Sequence, residues 1–152
     1  MKSKQEIVDN WLPRYTGVPL DQFGQHILLT NFGGYLHTFA ELTGAPIVGL
    51  DRPMASATFD DITMINFGMG SPNAATVMDL LSAVTPTAVL FLGTRGGPNR
   101  KHQLGDPVPP IAAIRGEGTS GHYQPPEAPA LPAFPPPPAV PPLPRDPRHP
   151  HS

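Results

Sequence analysis

Apolar and polar positions alternate in blocks along the chain. Ile7, Val8, Trp11 and Leu12 fall on one face of a helix, with Ser3 and Glu6 at capping-box spacing before them and Pro13 expected to stop it. The run HILLTN (26–31) predicts a buried strand. Tyr35 to Leu42 places Leu36, Phe39, Ala40 and Leu42 towards one side of a second helix, and Gly44 suits its end. PIVGL (46–50) predicts a strand. An Asp60-Asp61 turn precedes the strand ITMINF (62–67), and Pro72 to Ala83 predicts a helix. TAVLFLG (87–93) predicts a strongly buried strand, and Val108 to Ile114 a further one. Strands alternating with helices indicate an α/β fold with a largely parallel sheet. Ligands of such sheets bind at the carboxyl ends of the strands.

Composition divides the chain in two. Of its 23 prolines, 13 lie between Pro125 and Pro150. Proline has no amide hydrogen, so this stretch can hold neither a helix nor a central strand and should be extended. The expected organisation is therefore an α/β part over 1–124 and a proline-rich, disordered tail over 125–152. The net charge of −2 offers no general attraction for nucleic acid or acidic membranes. The chain has no cysteine, which excludes disulfides and thiolate metal sites. No apolar run approaches the roughly 20 residues that span a bilayer, and MKSKQEIVDNW lacks the apolar core of a secretory signal. A soluble, cytoplasmic protein is expected, with no membrane or nucleic-acid partner.

The candidate chemistry lies in three glycine-rich turns that follow strands. In GMGSPNAA, Ser71 is expected as the helix N-cap and Pro72 as the first helical residue. Gly68 and Gly70 remove side chains that would keep a ligand from the free amides there. The same spacing fits a tight strand-to-helix turn with no ligand, and it is neither a Rossmann fingerprint nor a P-loop. LGTRGG (92–97) and IRGEGTS (114–120) are the other two turns, the latter carrying Arg115, Glu117, Thr119 and Ser120. Arg52 in LDRPM could hold a phosphate or carboxylate, or be a solvated surface residue. Arg95, Arg100 and Lys101 form a small basic cluster that reads as a solvated face, and His26, His37, His102 and His122 lack metal-like spacing.

NWLPRYTG, FGQHILLTNF, LDRPM, ITMINFGMGSPNAATVMDLLSAV, AVLFLG, PIAAIRGEGTS and PPEAPALPAF, taken together, resemble the AMP nucleosidases of the purine nucleoside phosphorylase and uridine phosphorylase superfamily. The resemblance covers roughly residues 5 to 134. GMGSP alone marks only the superfamily; RYTG, DRPM and IRGEGTS point to the AMP-specific branch. The resemblance implies a mixed central sheet flanked by helices, nucleoside phosphorylase-like and here incomplete at the C-terminus, usually assembled as a homohexamer. It implies hydrolysis of the N-glycosidic bond of AMP to adenine and ribose 5-phosphate, a step in purine salvage, with neither cofactor nor metal. The sugar would rest on Gly68, Met69 and Gly70. The phosphate would be held by Thr30 and Asn31, by Arg52 from the same or a neighbouring subunit, and by the turn at Thr94. Arg115, Glu117 and Ser120 are further ligand-site candidates.

Two departures qualify the resemblance. Thr94 and Arg95 stand where the family usually has lysine and cysteine. The family's base contacts and its catalytic aspartate lie downstream of IRGEGTS, where this chain turns into PPPPAVPPLPRDPRHPHS; Asp146 of that stretch is not their counterpart, so no catalytic residue is assigned. A truncated or out-of-frame gene is the expectation, with central strands left as edges and a marginally stable chain. Three other readings follow: a binding-only remnant, a phosphorylase of free nucleosides, and an adaptor whose proline tail binds SH3-like domains. The last is weakened because Arg145 and Arg148 lack the usual spacing from a PxxP core.

Overall fold

The computed structural model describes residues 2–96 and 105–132. Gly97, Arg100, Lys101, His102 and the tail from Ala133 onward, with Arg145, Asp146 and Arg148, lie outside the described residues. The chain divides into two compact units, Met1–Gly93 and Thr94–Ser152, and the change of composition at Pro125 falls inside the second.

In the first unit the order is α1 (Lys4–Thr16), β1 (His26–Thr30), α2 (Gly33–Thr43), β2 (Ser56–Phe59), β3 (Ile62–Asn66), α3 (Ser71–Leu80) and β4 (Ala88–Leu92). The four strands lie in the order β2-β3-β1-β4. β1 runs parallel to β3 and to β4, whereas β2 pairs antiparallel with β3 through the Asp60-Asp61 turn, so the sheet is mixed. Strand alternation sorts the core onto two faces. Ile27, Leu29 and Ile65 meet Val8 and Leu12 of α1 and Val77 and Leu80 of α3 on one face. Met64, Ala57 and Leu28 meet Leu36 and Phe39 of α2 on the other.

Several elements differ from expectation. α1 runs through Pro13 to Thr16. The proline removes only one amide, and the last turn is held by Thr16 Oγ1 donating to the Leu12 carbonyl (2.9 Å) and the Gly17 amide to the Pro13 carbonyl (2.8 Å). Its buried row is Val8, Leu12 and Thr16, while Ile7 and Trp11 stay exposed. PIVGL supplies only an isolated bridge from Val48 to Ser56, because Gly49 turns the chain with φ 75°. β4 forms, yet it is not the buried strand expected: Leu90 and Phe91 are 57% and 55% exposed because β4 closes one edge of the sheet. Of Val108 to Ile114 only Ala113 pairs, in a bridge to Ala130.

Candidate functional site

β1 and β3 are neighbours and parallel, but the helices that follow them cover opposite faces: α2 one, α3 the other. Their outgoing loops part at the carboxyl edge. Open α/β sheets bind ligands in the crevice at such a switch point. Thr30 and Asn66 end the two strands as register partners, and the Phe67 amide donates to the Thr30 carbonyl across them (3.0 Å). A Cβ on Gly33 would sit 3.7 Å from Asn66 Nδ2, so the turn after β1 abuts the turn after β3.

Both helices begin at this crevice, and neither start carries a side-chain cap. The positive end of neither helix dipole is therefore met by a capping side chain. The N-cap of α3 is Gly70, not Ser71, and Pro72 follows as the second helical residue. Gly70 adopts φ 95°, which a side-chain-bearing residue would resist, so the helix boundary moves one residue earlier. Gly68 takes φ 78°, and its amide donates to Asn66 Oδ1 (3.1 Å), which shapes the turn. Met69, held between the two, is 80% exposed.

On the β1 side, Thr30 is wholly buried, and its Oγ1 accepts the Phe32 amide (3.1 Å). This hydroxyl fixes the turn. Asn31 Oδ1 is buried without a hydrogen-bond partner, a costly arrangement unless a ligand or water supplies one. Arg52 belongs to the turn before β2. Its guanidinium donates to the Arg14 carbonyl (3.4 Å) and lies 3.5 Å from Asp51, and among the described residues these are its contacts. Thus the Gly68–Gly70 turn begins beside the backbone of Thr30, which Asn31 follows directly, whereas Arg52 is engaged at the end of α1.

Thr94, Arg115, Glu117 and Ser120 belong to the second unit. There Arg115 Nη1 donates to the Ser120 and Gln124 carbonyls (3.1 and 3.2 Å), and Nη2 to that of Pro125. Glu117 accepts from the Ser120 amide (3.2 Å) and hydroxyl. These groups close a loop around the short 3₁₀ turn Thr119–His122.

At the amino-terminal edge of the sheet, Asp61 accepts the Gln25 amide and His26 Nδ1, both at 2.8 Å. The Gln25 amide first, then the His26 side chain, holds the Asp61 carboxyl below its ordinary range. This pair lies at the opposite ends of β1 and β3 from the crevice and braces their start.

The helix start at Gly33-Gly34 was not anticipated, since the apolar period begins only at Tyr35. A glycine pair directly after a strand was the available signal. Asn66 as the shaper of the glycine turn was also missed; an Asn two residues before a glycine is the sequence mark of such a turn.

The phosphorylase superfamily model matches residues 25–147. The chain belongs to the phosphorylase superfamily. A crystal structure of AMP nucleosidase from Bacteroides thetaiotaomicron VPI-5482 is 60% identical, with a TM-score of 0.79, and covers 86% of this chain and 55% of that one. AMP nucleosidase of Escherichia coli K12 is 24% identical over 155 residues, covering 78% of this chain and 32% of its own length. Guanosine phosphorylase of Halorubrum lacusprofundi is 35% identical over 79 residues, 51% of this chain and 33% of its own. The chain spans about a third of the length of these curated relatives. The mixed, helix-flanked sheet is that of this superfamily, and its members' chemistry makes the chain part of an enzyme family.

Proposed function

We propose that the crevice between β1 and β3 binds AMP and serves hydrolysis of its N-glycosidic bond, giving adenine and ribose 5-phosphate. The observation that carries the reading is the switch-point crevice itself: two helix starts without side-chain caps, one of them after a glycine turn with positive φ, at the ends of neighbouring parallel strands. A 60% identical relative that is an AMP nucleosidase supplies the substrate class. The first amides of α2 and α3 favour the phosphate electrostatically, and the glycines let the sugar approach the backbone, with Met69 against the ribose. Water replaces adenine at the anomeric carbon through an oxocarbenium-like transition state, and preorganised dipoles hold the charge pattern of that state. In this reading the chain forms a homo-oligomer, a hexamer, in which Arg52, engaged by Arg14 and Asp51 of its own chain, turns to the phosphate of a neighbouring copy. Thr94, Arg115, Glu117 and Ser120 belong to the other unit, where Arg115, Glu117 and Ser120 are tied to their own loop, and this reading assigns them no contact with the nucleotide. Among the described residues no helix is long and apolar enough to cross a membrane, and cytoplasmic purine salvage is the setting this reading implies.

Adenine release from AMP, followed chromatographically with Arg52→Ala beside it, tests the proposal. Adenine above the level of the variant supports it; AMP bound without turnover leaves a binding-only protein. The guanosine phosphorylase relative favours a second reading, phosphorolysis of free nucleosides. Product formation that requires added phosphate and yields ribose 1-phosphate would select it.

A further inference from the structure

We propose that Met69 is a reversible oxidation site that lowers nucleotide affinity at the crevice; the inference rests on the AMP reading above. Four methionines are described, and their surroundings differ sharply. Met54 and Met64 are core residues, 2% and 4% exposed. Met78, on α3, is 49% exposed, and Met69 is 80% exposed. Susceptibility of a thioether follows its access to the oxidant, so Met69 is first in line. Its position gives the oxidation a consequence. Gly68 and Gly70, with φ of 78° and 95°, hold the residue at the mouth of the crevice, directly before the N-cap of α3.

The oxidant is a peroxide. A sulfur lone pair attacks one peroxide oxygen, the O–O bond breaks, and the thioether becomes a sulfoxide. Sulfur loses two electrons and hydrogen peroxide is reduced to water. A flexible apolar side chain becomes a polar, bulkier and chiral one. A thioether that lines the ribose through dispersion contacts would then present a sulfoxide dipole to it. Methionine sulfoxide reductases reverse the change.

The test treats the folded full chain with limiting hydrogen peroxide, maps oxidation by peptide mass spectrometry, and measures AMP affinity by calorimetry before and after. Met69 should oxidise ahead of Met78, with Met54 and Met64 intact. Affinity should fall about tenfold and return after reductase treatment. Met69→Leu should keep its own affinity through the same treatment, and Met78→Leu should behave as the unaltered chain does. Equal oxidation of Met69 and Met78 overturns the inference. So does an unchanged affinity in chains oxidised at Met69, or equal loss in Met69→Leu. Absence of AMP binding before any peroxide is added overturns the AMP reading, and the inference with it.

Discussion

The turn after β3 and the loop around Thr119–His122 look alike as sequence: both are glycine-rich, polar and placed after a predicted strand. Their hydrogen bonds separate them. In the first, Gly68 and Gly70 hold positive φ, the following helix lacks a side-chain cap, and the neighbouring Asn31 oxygen has no partner. In the second, Arg115 spends Nη1 and Nη2 on three backbone carbonyls, with only its buried Nε left without a partner, and Glu117 takes both polar hydrogens of Ser120. Helix starts without a side-chain cap at a strand edge are what an anion site requires; side chains turned back onto their own backbone are what an ordered loop requires. Glycine and charge content alone cannot distinguish them.

The largest effect is expected from the same substitution made at the entry of β1 and in the Thr119–His122 loop. A Cβ on Gly24 would meet the Asp61 carbonyl at 2.4 Å, backbone against backbone, while one on Gly121 meets nothing within 4 Å. Gly24 also donates its amide to the buried Thr63 hydroxyl (2.8 Å), so it ties the entry of β1 to β3. Gly24→Ala should cost about 3 kcal/mol or more, since no flexible side chain can yield. Gly121→Ala should stay within about 0.5 kcal/mol. Thermal or denaturant melts of the two variants measure the gap, and similar midpoints would remove the claim that close backbone contact ties the start of β1 to β3.

Gly70→Ala sharpens the same contrast at the ligand. Its added Cβ has room, the nearest atom being Pro72 Cδ at 3.6 Å, so the penalty comes from φ 95° alone. Such backbone strain costs roughly 1–3 kcal/mol. The turn should relax by moving the start of α3, and AMP affinity should fall about tenfold or more. A titration showing unchanged affinity would detach the glycine turn from binding.

How much of this was legible in the residues depends on which force decided each element. β1, β3 and both core-facing helices follow apolar period, and the structure keeps them. Pro13 misled because a single lost amide near a helix end is outweighed by the packing of Leu12 and Thr16, both fully buried. The burial of β4 misled because apolarity marks a strand but not its place in the sheet; order is a long-range property. In the site, Gly68 and Gly70 were legible as positions that clear side chains from the backbone; their positive φ is a finding of the structure. The orphaned Asn31 oxygen, the engagement of Arg52 at Arg14 and the closure of Arg115 on its own loop depend on distant backbone, which no local pattern encodes.

Arg115→Ala should therefore act locally. Removing three carbonyl ties should speed amide exchange and proteolysis over residues 116–125, with the melting of the first unit little changed. If affinity for AMP falls while exchange over that loop does not, Arg115 is a ligand group and the closed-loop contrast fails. Arg115→Lys separates the two further, because an ammonium cannot reproduce the fork that spans several carbonyls.

The smallest effect is expected at the far end of the sheet and concerns acid. The Asp61 carboxyl is held below its ordinary range, chiefly by the Gln25 amide and then by His26. A carboxylate with a depressed folded value contributes stability that is fully present above its unfolded value, about 3.9. That contribution is lost as pH falls through the lower folded value, because protonation releases both partners. Asp61→Asn should therefore lower the melting temperature slightly at neutral pH, and the difference from the unaltered chain should shrink as the solution is acidified below about 3.9. Both ends of β1 and β3 would then be explained by one kind of interaction with opposite outcomes. Backbone amides satisfied by a carboxylate at Asp61 brace the strands, whereas the starts of α2 and α3 carry no side-chain cap. A difference that stayed constant with pH would mean that Asp61 acts through the shape of its turn and not through its charge.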